Sequence, residues 1–146
     1  MDLTAINQYV AQTAACTAQT PRPARYGEKL SVGLDLGTSL TVIVVLGEDG
    51  LPLACEMEHS TALKDGVVVD YAQACDAVRR LKAAAERKIN AELTACAIAM
   101  PPGTEATDGR THRYVASSSG MEVAAVVDEP SAANLLLRLA DGAVVD

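Results

Sequence analysis

The sequence predicts an α/β domain in which a mixed five-stranded sheet carries helices on both faces. Three short apolar segments follow one another between residues 31 and 57 with only turn residues between them, which is typical of antiparallel strands. Further along, two more apolar segments each follow a helical pattern, and right-handed crossovers place such strands parallel to the first. With 146 residues, 49% of them hydrophobic, the chain is long enough to bury one core.

The first 25 residues are predicted to form an N-terminal helix and a linker. Between residues 2 and 18 the apolar side chains Leu3, Ile6 and Val10 recur at helical spacing. The segment "QTPRPARYGEK" that follows holds two prolines and a glycine, which end a helix and favour a linker. We therefore expect residues 1–25 to precede a domain that spans residues 30–146.

Three strands and a long helix are predicted in the first part of that domain. The strands cover residues 31–36, 40–46 and 51–57, and "GEDG" has the composition of the hairpin turn between the last two. "LKDGVVVDY" contains a second Asp-Gly turn, which leads into a short extended piece. Apolar residues then recur at helical spacing from 71 to 89 with charged residues opposite, as expected of an amphipathic helix.

Two further buried strands are predicted in the second part. "TACAIAM" (94–100) is a continuous apolar run ended by prolines and a glycine, which favours a strand buried on both faces. "VAAVV" (123–127) is predicted to be the next buried strand, and "AVVD" (143–146) to begin another.

Helices connect these strands. Residues 108–119 are predicted to be helical up to Gly120, and a last helix has Pro130 at its first position and Gly142 just past its end. The resulting order, βββαβαβα(β) after an N-terminal helix, is the layout of a ribonuclease-H-like domain.

Charge and composition exclude several classes of partner. The net charge is −7 and the only aromatic residues are four tyrosines, which suits neither a phosphate backbone nor stacked bases, so no nucleic acid is expected. A small anionic ligand remains compatible, because backbone N–H groups and a bound cation can hold phosphates.

The cysteines favour a cytoplasmic protein. Cys16, Cys55, Cys75 and Cys96 form no C-x-x-C pair and have no histidine at metal-ligand spacing, so they are interpreted as buried, reduced thiols. No apolar run is long enough for a membrane span, and the N-terminus lacks the pattern of a signal peptide.

Acidic residues follow three of the predicted parallel strands. Asp35, Glu129 and Asp146 each come at or directly after the carboxyl end of a strand. Ligands of open α/β sheets bind at that edge. We therefore expect these three carboxylates to surround one site.

The turn after the first strand has the residues of a phosphate site. Gly37 permits a close approach, and the N–H groups of residues 37–39 with the hydroxyls of Thr38 and Ser39 form a set of donors for phosphate oxygens. Asp35 is expected to hold a hydrated Mg²⁺ with Asp146 approaching from a neighbouring strand, since Mg²⁺ keeps its waters and takes few carboxylates. Glu129 is expected to orient or deprotonate an attacking water.

Each residue also has a purely structural interpretation. Taken alone, the turn at Gly37 fits a tight hairpin, Glu129 fits a helix N-cap, and Asp146 fits a terminal residue. Their coincidence at one predicted edge favours a functional site.

Several motifs resemble one superfamily. "VGLDLGTS" resembles the first phosphate motif of the actin/DnaK/sugar-kinase ATPases, "SGMEVAAVVDEPSAANLL" a stretch of DnaK-type chaperones, and "LKDGVVVDY" a segment of MreB-type filament proteins. Together with "MPPGTE" and "GAVVD", the sequence is most similar to the EutJ family, chaperone-like proteins of ethanolamine utilization and related microcompartment operons.

The resemblance implies an actin-like ATPase lobe that binds ATP and Mg²⁺. In that family "VVD" continues into a glycine-rich second phosphate motif and a second lobe, whereas this sequence ends at Asp146. Residues 30–146 are thus expected to be the first lobe only, truncated at the second phosphate motif. No position here matches the chaperones' catalytic lysine.

The leading hypothesis is an ATP-binding, chaperone-like protein of ethanolamine utilization, with little or no turnover by this chain. Its expected clients are microcompartment enzymes or shell proteins, and the shortened lobe is expected to self-associate. The alternatives are a non-enzymatic adaptor or assembly module, an MreB-like filament protein and a small-molecule kinase.

Overall fold

The computed structural model describes residues 3–103 and 109–140. It contains four helices and seven strands within those ranges. In chain order these are α1 (Leu3–Ala15), β1 (Ser31–Leu36), β2 (Leu40–Leu46), β3 (Pro52–His59), β4 (Leu63–Lys64), β5 (Val67–Val68), α2 (Tyr71–Ile89), β6 (Ala95–Met100), α3 (Gly109–Ser117), β7 (Glu122–Asp128) and α4 (Glu129–Leu137).

Five strands form one mixed sheet in the order β3-β2-β1-β6-β7. The first three are antiparallel neighbours, and β6 and β7 run parallel to β1, with Leu34 opposite Ile98. The predicted fold class is confirmed, including the parallel direction of both strands entered through helices. The strand expected at 143–146 lies outside the described residues.

The Asp-Gly segment at 65–66 forms the turn of a small hairpin. Strands β4 and β5 pair with Leu63 opposite Val68, and Asp65 and Gly66 have φ values of 51° and 78°. Two successive residues at positive φ make the turn that matches the twist of a two-residue hairpin.

Helix α2 covers the predicted residues 71–89. Its bounds are set by a capping residue at each end. The side chain of Asp70 accepts a hydrogen bond from the N–H of Gln73 at 2.9 Å. At the other end, Asn90 adopts a left-handed conformation (φ 54°) and donates its N–H to the carbonyl of Glu86. Asparagine tolerates this conformation better than most residues, so the helix stops there.

The main core lies on one face of the sheet, under α2 and α3. Alternate residues of the central strands point into it, and the two helices contribute alanines and branched side chains. Its largest fully buried members include Leu34, Ile43, Val45, Val78, Ile89, Ile98 and Val115. Helix α4 lies on the other face, where Ala132 and Leu135 adjoin Gly33, Val42 and Ala97.

Two strands are less buried than predicted. In β6 only Cys96, Ile98 and Met100 are buried, while the residues between them face the partly open side of the sheet. Strand β7 has no fully buried residue, because it is at the edge of the described sheet. The small and apolar side chains of β6 and β7 are compatible with burial on both faces of the sheet, but they do not require it.

Helix α4 ends before the predicted position. Arg138 adopts the left-handed conformation (φ 52°) and its N–H bonds to the carbonyl of Asn134 at 2.7 Å, which closes the helix after Leu137. Gly142, expected to end it, lies outside the described residues.

The linker is held against the domain by a buried carboxylate. Glu28 has no exposed side-chain surface and accepts two hydrogen bonds from the Arg22 guanidinium, at 2.8 and 2.7 Å, and others from the N–H groups of Arg25 and Glu48. Arg22 also pairs with Asp49. These hydrogen bonds lower the pKa of Glu28 to about 2, and those from Arg22 contribute most.

Glu28→Gln should therefore change the pH dependence of stability. A carboxyl with a lowered pKa stabilises the folded state above its ordinary value of 4.5, and this contribution is lost as the pH falls towards 2. Urea unfolding across this interval should show a steep loss of stability in the unaltered chain and a flatter profile in Glu28→Gln. The control is Glu92→Gln, at an exposed residue with no ion pair among the described residues; equal profiles for the two variants would contradict the prediction.

All four cysteines are free and buried, as predicted. Burial raises the pKa of Cys96 to about 11, so its thiol stays protonated at neutral pH. No helix in the described residues is long and apolar enough to cross a membrane.

Candidate functional site

A cavity of about 510 Å³ opens at the carboxyl edge of β1 and β6. It lies between the turn after β1, the β4–β5 hairpin and the start of α4. The side chains and backbone that line it belong to Asp35, Leu36, Gly37, Thr38, Ser39, Leu40, Gly66, Ala99, Pro101, Glu129 and Ala132. The cavity is of the size that small-molecule sites have.

The glycine turn forms one wall of this cavity. The N–H of Gly37 donates to the Leu40 carbonyl at 3.0 Å, and the N–H of Ser60 donates to the Ser39 carbonyl at 3.1 Å. A Cβ on Gly37 would lie 2.7 Å from the Leu40 oxygen, so only glycine fits the turn as it stands. The sequence prediction counted the Gly37 N–H among the donors for a ligand; in the structure this N–H bonds within the turn.

Thr38 and Ser39 are the donors that remain. Both residues are exposed, and their N–H groups form no hydrogen bond with residues 3–103 or 109–140. Their hydroxyls border the same cavity. Two N–H groups and two hydroxyls in adjacent residues suit an anionic oxygen.

Asp35 lies beneath this turn. It is the fifth residue of β1, paired with Val42 on one side and Ala99 on the other, and its Oδ1 atom is buried. A Cβ on Gly37 would be 3.9 Å from that oxygen, so the carboxylate sits directly under the glycine. This position suits a carboxylate that holds waters of a cation rather than the cation itself.

Glu129 reaches the cavity from the first turn of α4. Asp128, not Glu129, is the N-cap: its Oδ1 accepts the N–H of Ser131 at 2.9 Å, and hydrogen bonds from Ser131 lower the pKa of Asp128. Because Asp128 caps the helix, the structural interpretation of Glu129 as the cap is not supported. Glu129 is half-buried and lines the same cavity as Asp35.

The far wall includes residues that sequence reasoning did not assign to the site. Gly66 closely approaches Pro101, and a Cβ on Gly66 would lie 3.0 Å from the Pro101 ring. Ala99, the strand neighbour of Asp35, and Ala132 of α4 also line the cavity. The turn signals at Gly66 and Pro101 were visible in the sequence, but not that the two turns meet.

The structure thus brings Asp35, Gly37, Thr38, Ser39 and Glu129 to one cavity. Asp146 lies outside the described residues, so its position is not tested. No group of three or more metal-ligating side chains is found in the part of the chain that the structure describes. The described residues that line the cavity include no basic side chain, which leaves backbone donors, hydroxyls and a cation to balance an anionic ligand.

These residues fit a phosphate group with a hydrated Mg²⁺. The glycine turn is tight and leaves donors exposed, and the carboxylate beneath it is placed for water-mediated contact with a cation. Mg²⁺ in protein sites commonly keeps several waters and is held by one or two carboxylates together with phosphate oxygens.

Comparison with known proteins finds relatives in one family. No protein-family model matches the chain. Ethanolamine utilization protein EutJ from Escherichia coli K12 is 38% identical over 135 residues, which are 92% of this chain and 47% of that protein. EutJ from Salmonella typhimurium LT2 is 36% identical over the same shares. The chain spans about half the length of these relatives.

Solved structures agree with the sequence comparison. The crystal structure of EutJ from Carboxydothermus hydrogenoformans superposes with a TM-score of 0.87 at 33% identity, covering 97% of this chain and 52% of that one. MreB5 of Spiroplasma citri, bound to ADP, gives a TM-score of 0.54 at 20% identity, covering 73% and 40%. The second similarity shows an actin-like fold and no more.

Proposed function

The chain belongs to the EutJ family of ethanolamine utilization proteins, of whose length it spans about half, and on this premise we propose that it is a chaperone-like protein that binds Mg·ATP. The observation that carries the proposal is the single cavity that Gly37, Asp35 and Glu129 share. In this proposal residues 1–25 are an N-terminal helix and linker, and residues 30–146 form an actin-like ATPase lobe.

Each residue of the cavity has a role in this proposal. Thr38 and Ser39 donate hydrogen bonds to phosphate oxygens, and Gly37 keeps the turn narrow enough for the phosphates to approach the backbone. Asp35 and Asp146 orient the waters of a bound Mg²⁺, which supplies the positive charge that the cavity's own side chains lack. Glu129 accepts a proton from, or orients, a water beside the terminal phosphate.

Weak binding and little turnover are expected of this chain. The cavity is open to solvent on one side, and none of the described residues that line it is basic. Exclusion of water and a complete set of fixed donors account for most of the rate enhancement in phosphoryl transfer. The chain therefore lacks the enclosure that efficient hydrolysis requires.

An NMR or calorimetric titration with Mg·ATP tests the proposal. We expect a dissociation constant of roughly 1 mM. Binding should be weaker in EDTA, because EDTA removes the Mg²⁺. Asp35→Asn should remove this dependence on Mg²⁺. The matched control is Asp65→Asn, the same change in an exposed turn whose positive φ asparagine tolerates. Micromolar affinity would contradict the expected weakness, and no binding at all would overturn the proposal.

A non-enzymatic adaptor or assembly module is the second candidate. It is favoured by the two helices α1 and α4, which have no buried residue. Exposed apolar helices are typical of surfaces that contact other proteins. In either case we propose a cytoplasmic location, with microcompartment enzymes or shell proteins as clients. A filament of the MreB type has no comparable support, and sedimentation with and without ATP would detect one.

A further inference from the structure

A buried serine connects two of the segments that border the cavity. Ser60 follows β3 and is only 6% exposed. Its N–H donates to the carbonyl of Ser39 at 3.1 Å, and its Oγ accepts the N–H of Ala62, also at 3.1 Å. Ser60 therefore contacts the turn after β1 through its backbone and the start of the β4–β5 hairpin through its hydroxyl.

The backbone contact fixes the turn that carries the exposed donors. Within the turn, the Gly37 N–H bonds to the carbonyl of Leu40, and beyond it the Ser60 N–H holds the carbonyl of Ser39. Thr38 and Ser39 lie at this fixed turn and line the cavity. Donors that are held in place before an anion binds stabilise it without a cost of reorganisation.

The hydroxyl contact reaches the base of the β4–β5 hairpin. The carbonyl of Ala62 accepts the N–H groups of Val69 at 2.8 Å and Asp70 at 3.1 Å, which closes this base. At the other end of the hairpin, Gly66 lines the cavity. Ala62 is 0% exposed, so loss of the Ser60 hydroxyl would leave a buried N–H without its hydrogen bond.

We propose that Ser60 is a positioning residue, which makes the turn after β1 and the β4–β5 hairpin open and close as one unit around a bound ligand. Ser60 is not among the described residues that line the cavity, so it acts through Ser39 and Ala62. This role rests on the proposed function, since the ligand is Mg·ATP at the turn. Coupling of this kind is reciprocal: a ligand that binds the turn also stabilises the hairpin.

Hydrogen exchange measures this coupling directly. A ligand at concentration [L] slows the exchange of an amide by the factor 1 + [L]/Kd when the opening that exposes the amide also destroys the ligand site. The N–H groups of Val69 and Asp70 are suitable reporters, because both lie at the base of the hairpin and neither residue lines the cavity. In the unaltered chain, Mg·ATP at about ten times its dissociation constant should slow the exchange of both amides about tenfold.

Ser60→Ala removes the hydroxyl and keeps the backbone bond to Ser39. Without ligand, the reporter amides should exchange at least about tenfold faster, since the buried N–H of Ala62 loses its acceptor. Mg·ATP should slow them less than about twofold in this variant. The chemical shifts of Thr38 and Ser39 should still respond to Mg·ATP, because the N–H of residue 60 continues to hold the turn. Ser60→Thr keeps a hydroxyl and should restore the slowing.

The matched control is Ser119→Ala, at a half-buried serine that follows α3 and whose hydroxyl donates to the carbonyl of Ala116 at 2.7 Å. This change should leave the exchange of Val69 and Asp70, and its response to Mg·ATP, as in the unaltered chain. Amides of β6 serve as the reference for opening of the whole domain, and their exchange should be the same in the unaltered chain and Ser60→Ala.

The outcomes separate the role of Ser60 from the proposed function. If Mg·ATP changes no chemical shift at Thr38 or Ser39 in the unaltered chain, the proposed function fails, and the role of Ser60 with it. If Mg·ATP binds at the turn and slows the reporter amides equally in the unaltered chain and Ser60→Ala, or in neither, only the role of Ser60 is overturned. Equal slowing of the amides of β6 would overturn it too, since the whole domain would then open at once.

Discussion

Replacing Ile98 by alanine is expected to lower the free energy of unfolding by about 3 kcal/mol, within the usual range for a large buried side chain. Ile98 is 1% exposed at the centre of β6, opposite Leu34 of β1 and Val126 of β7. Its side chain belongs to the core beneath α2 and α3. The substitution leaves a cavity that strands on both sides prevent from closing. For a domain of this size, such a loss is a large part of the total stability.

The control for Ile98 lies on the other face of the same sheet. Val44 of β2 is only half-buried and borders a cleft between the sheet and α4. Val44→Ala should cost about 1 kcal/mol or less, since the methyl groups it removes are partly in water already. Both values come from urea unfolding at a concentration where the chain is monomeric. Equal losses would show that the two faces are equally well packed, against the structure.

Local sequence signals predicted the elements because each had a physical cause within a few residues. Helix α2 was predicted from its clear apolar stripe, and the structure shows that Asp70 and Asn90 cap its two ends. In β1 and β2 every second residue is buried and those between are exposed or half-buried, and a side chain at Gly37 would not fit their turn. Parallel pairing of β6 followed from the handedness of crossovers.

Burial on both sides of the sheet could not be predicted in this way. An apolar run such as "TACAIAM" is compatible with two covered faces, yet the structure leaves the side of Ala97 and Ala99 partly open. Which side of a strand is covered depends on where helices far along the chain return.

The candidate site was predictable to the extent that its residues end adjacent strands. Asp35 and Glu129 meet at one cavity because the carboxyl ends of β1 and β7 lie on the same edge. Gly66 and Pro101 were missed since two separate turns meet only in three dimensions. Asp128 illustrates a second limit: the sequence offered two adjacent acids, and only geometry distinguishes the helix cap from the residue facing the cavity.

Gly37→Ala is the second substitution with a large expected effect, on both stability and ligand binding. The new Cβ would lie 2.7 Å from the carbonyl oxygen of Leu40, a backbone atom that cannot move without breaking the 3.0 Å hydrogen bond from the Gly37 N–H. The turn has to open, at a cost of about 1–3 kcal/mol typical of overpacked positions. Thr38 and Ser39 then move away from Asp35. The chemical-shift changes that Mg·ATP causes in an NMR titration of the protein should therefore disappear.

Gly33→Ala is the matched control, because it is the same change four residues earlier in the same strand-and-turn segment. A Cβ there meets nothing within 4 Å, and alanine loses less backbone entropy than glycine in a strand, so a gain of about 0.5–1 kcal/mol is expected. Weak Mg·ATP binding should be retained. If both variants lose binding equally, the loss does not come from the turn, and the phosphate role of Gly37 is wrong. If neither loses it, the ligand is held elsewhere in the molecule and the narrow turn serves the fold alone.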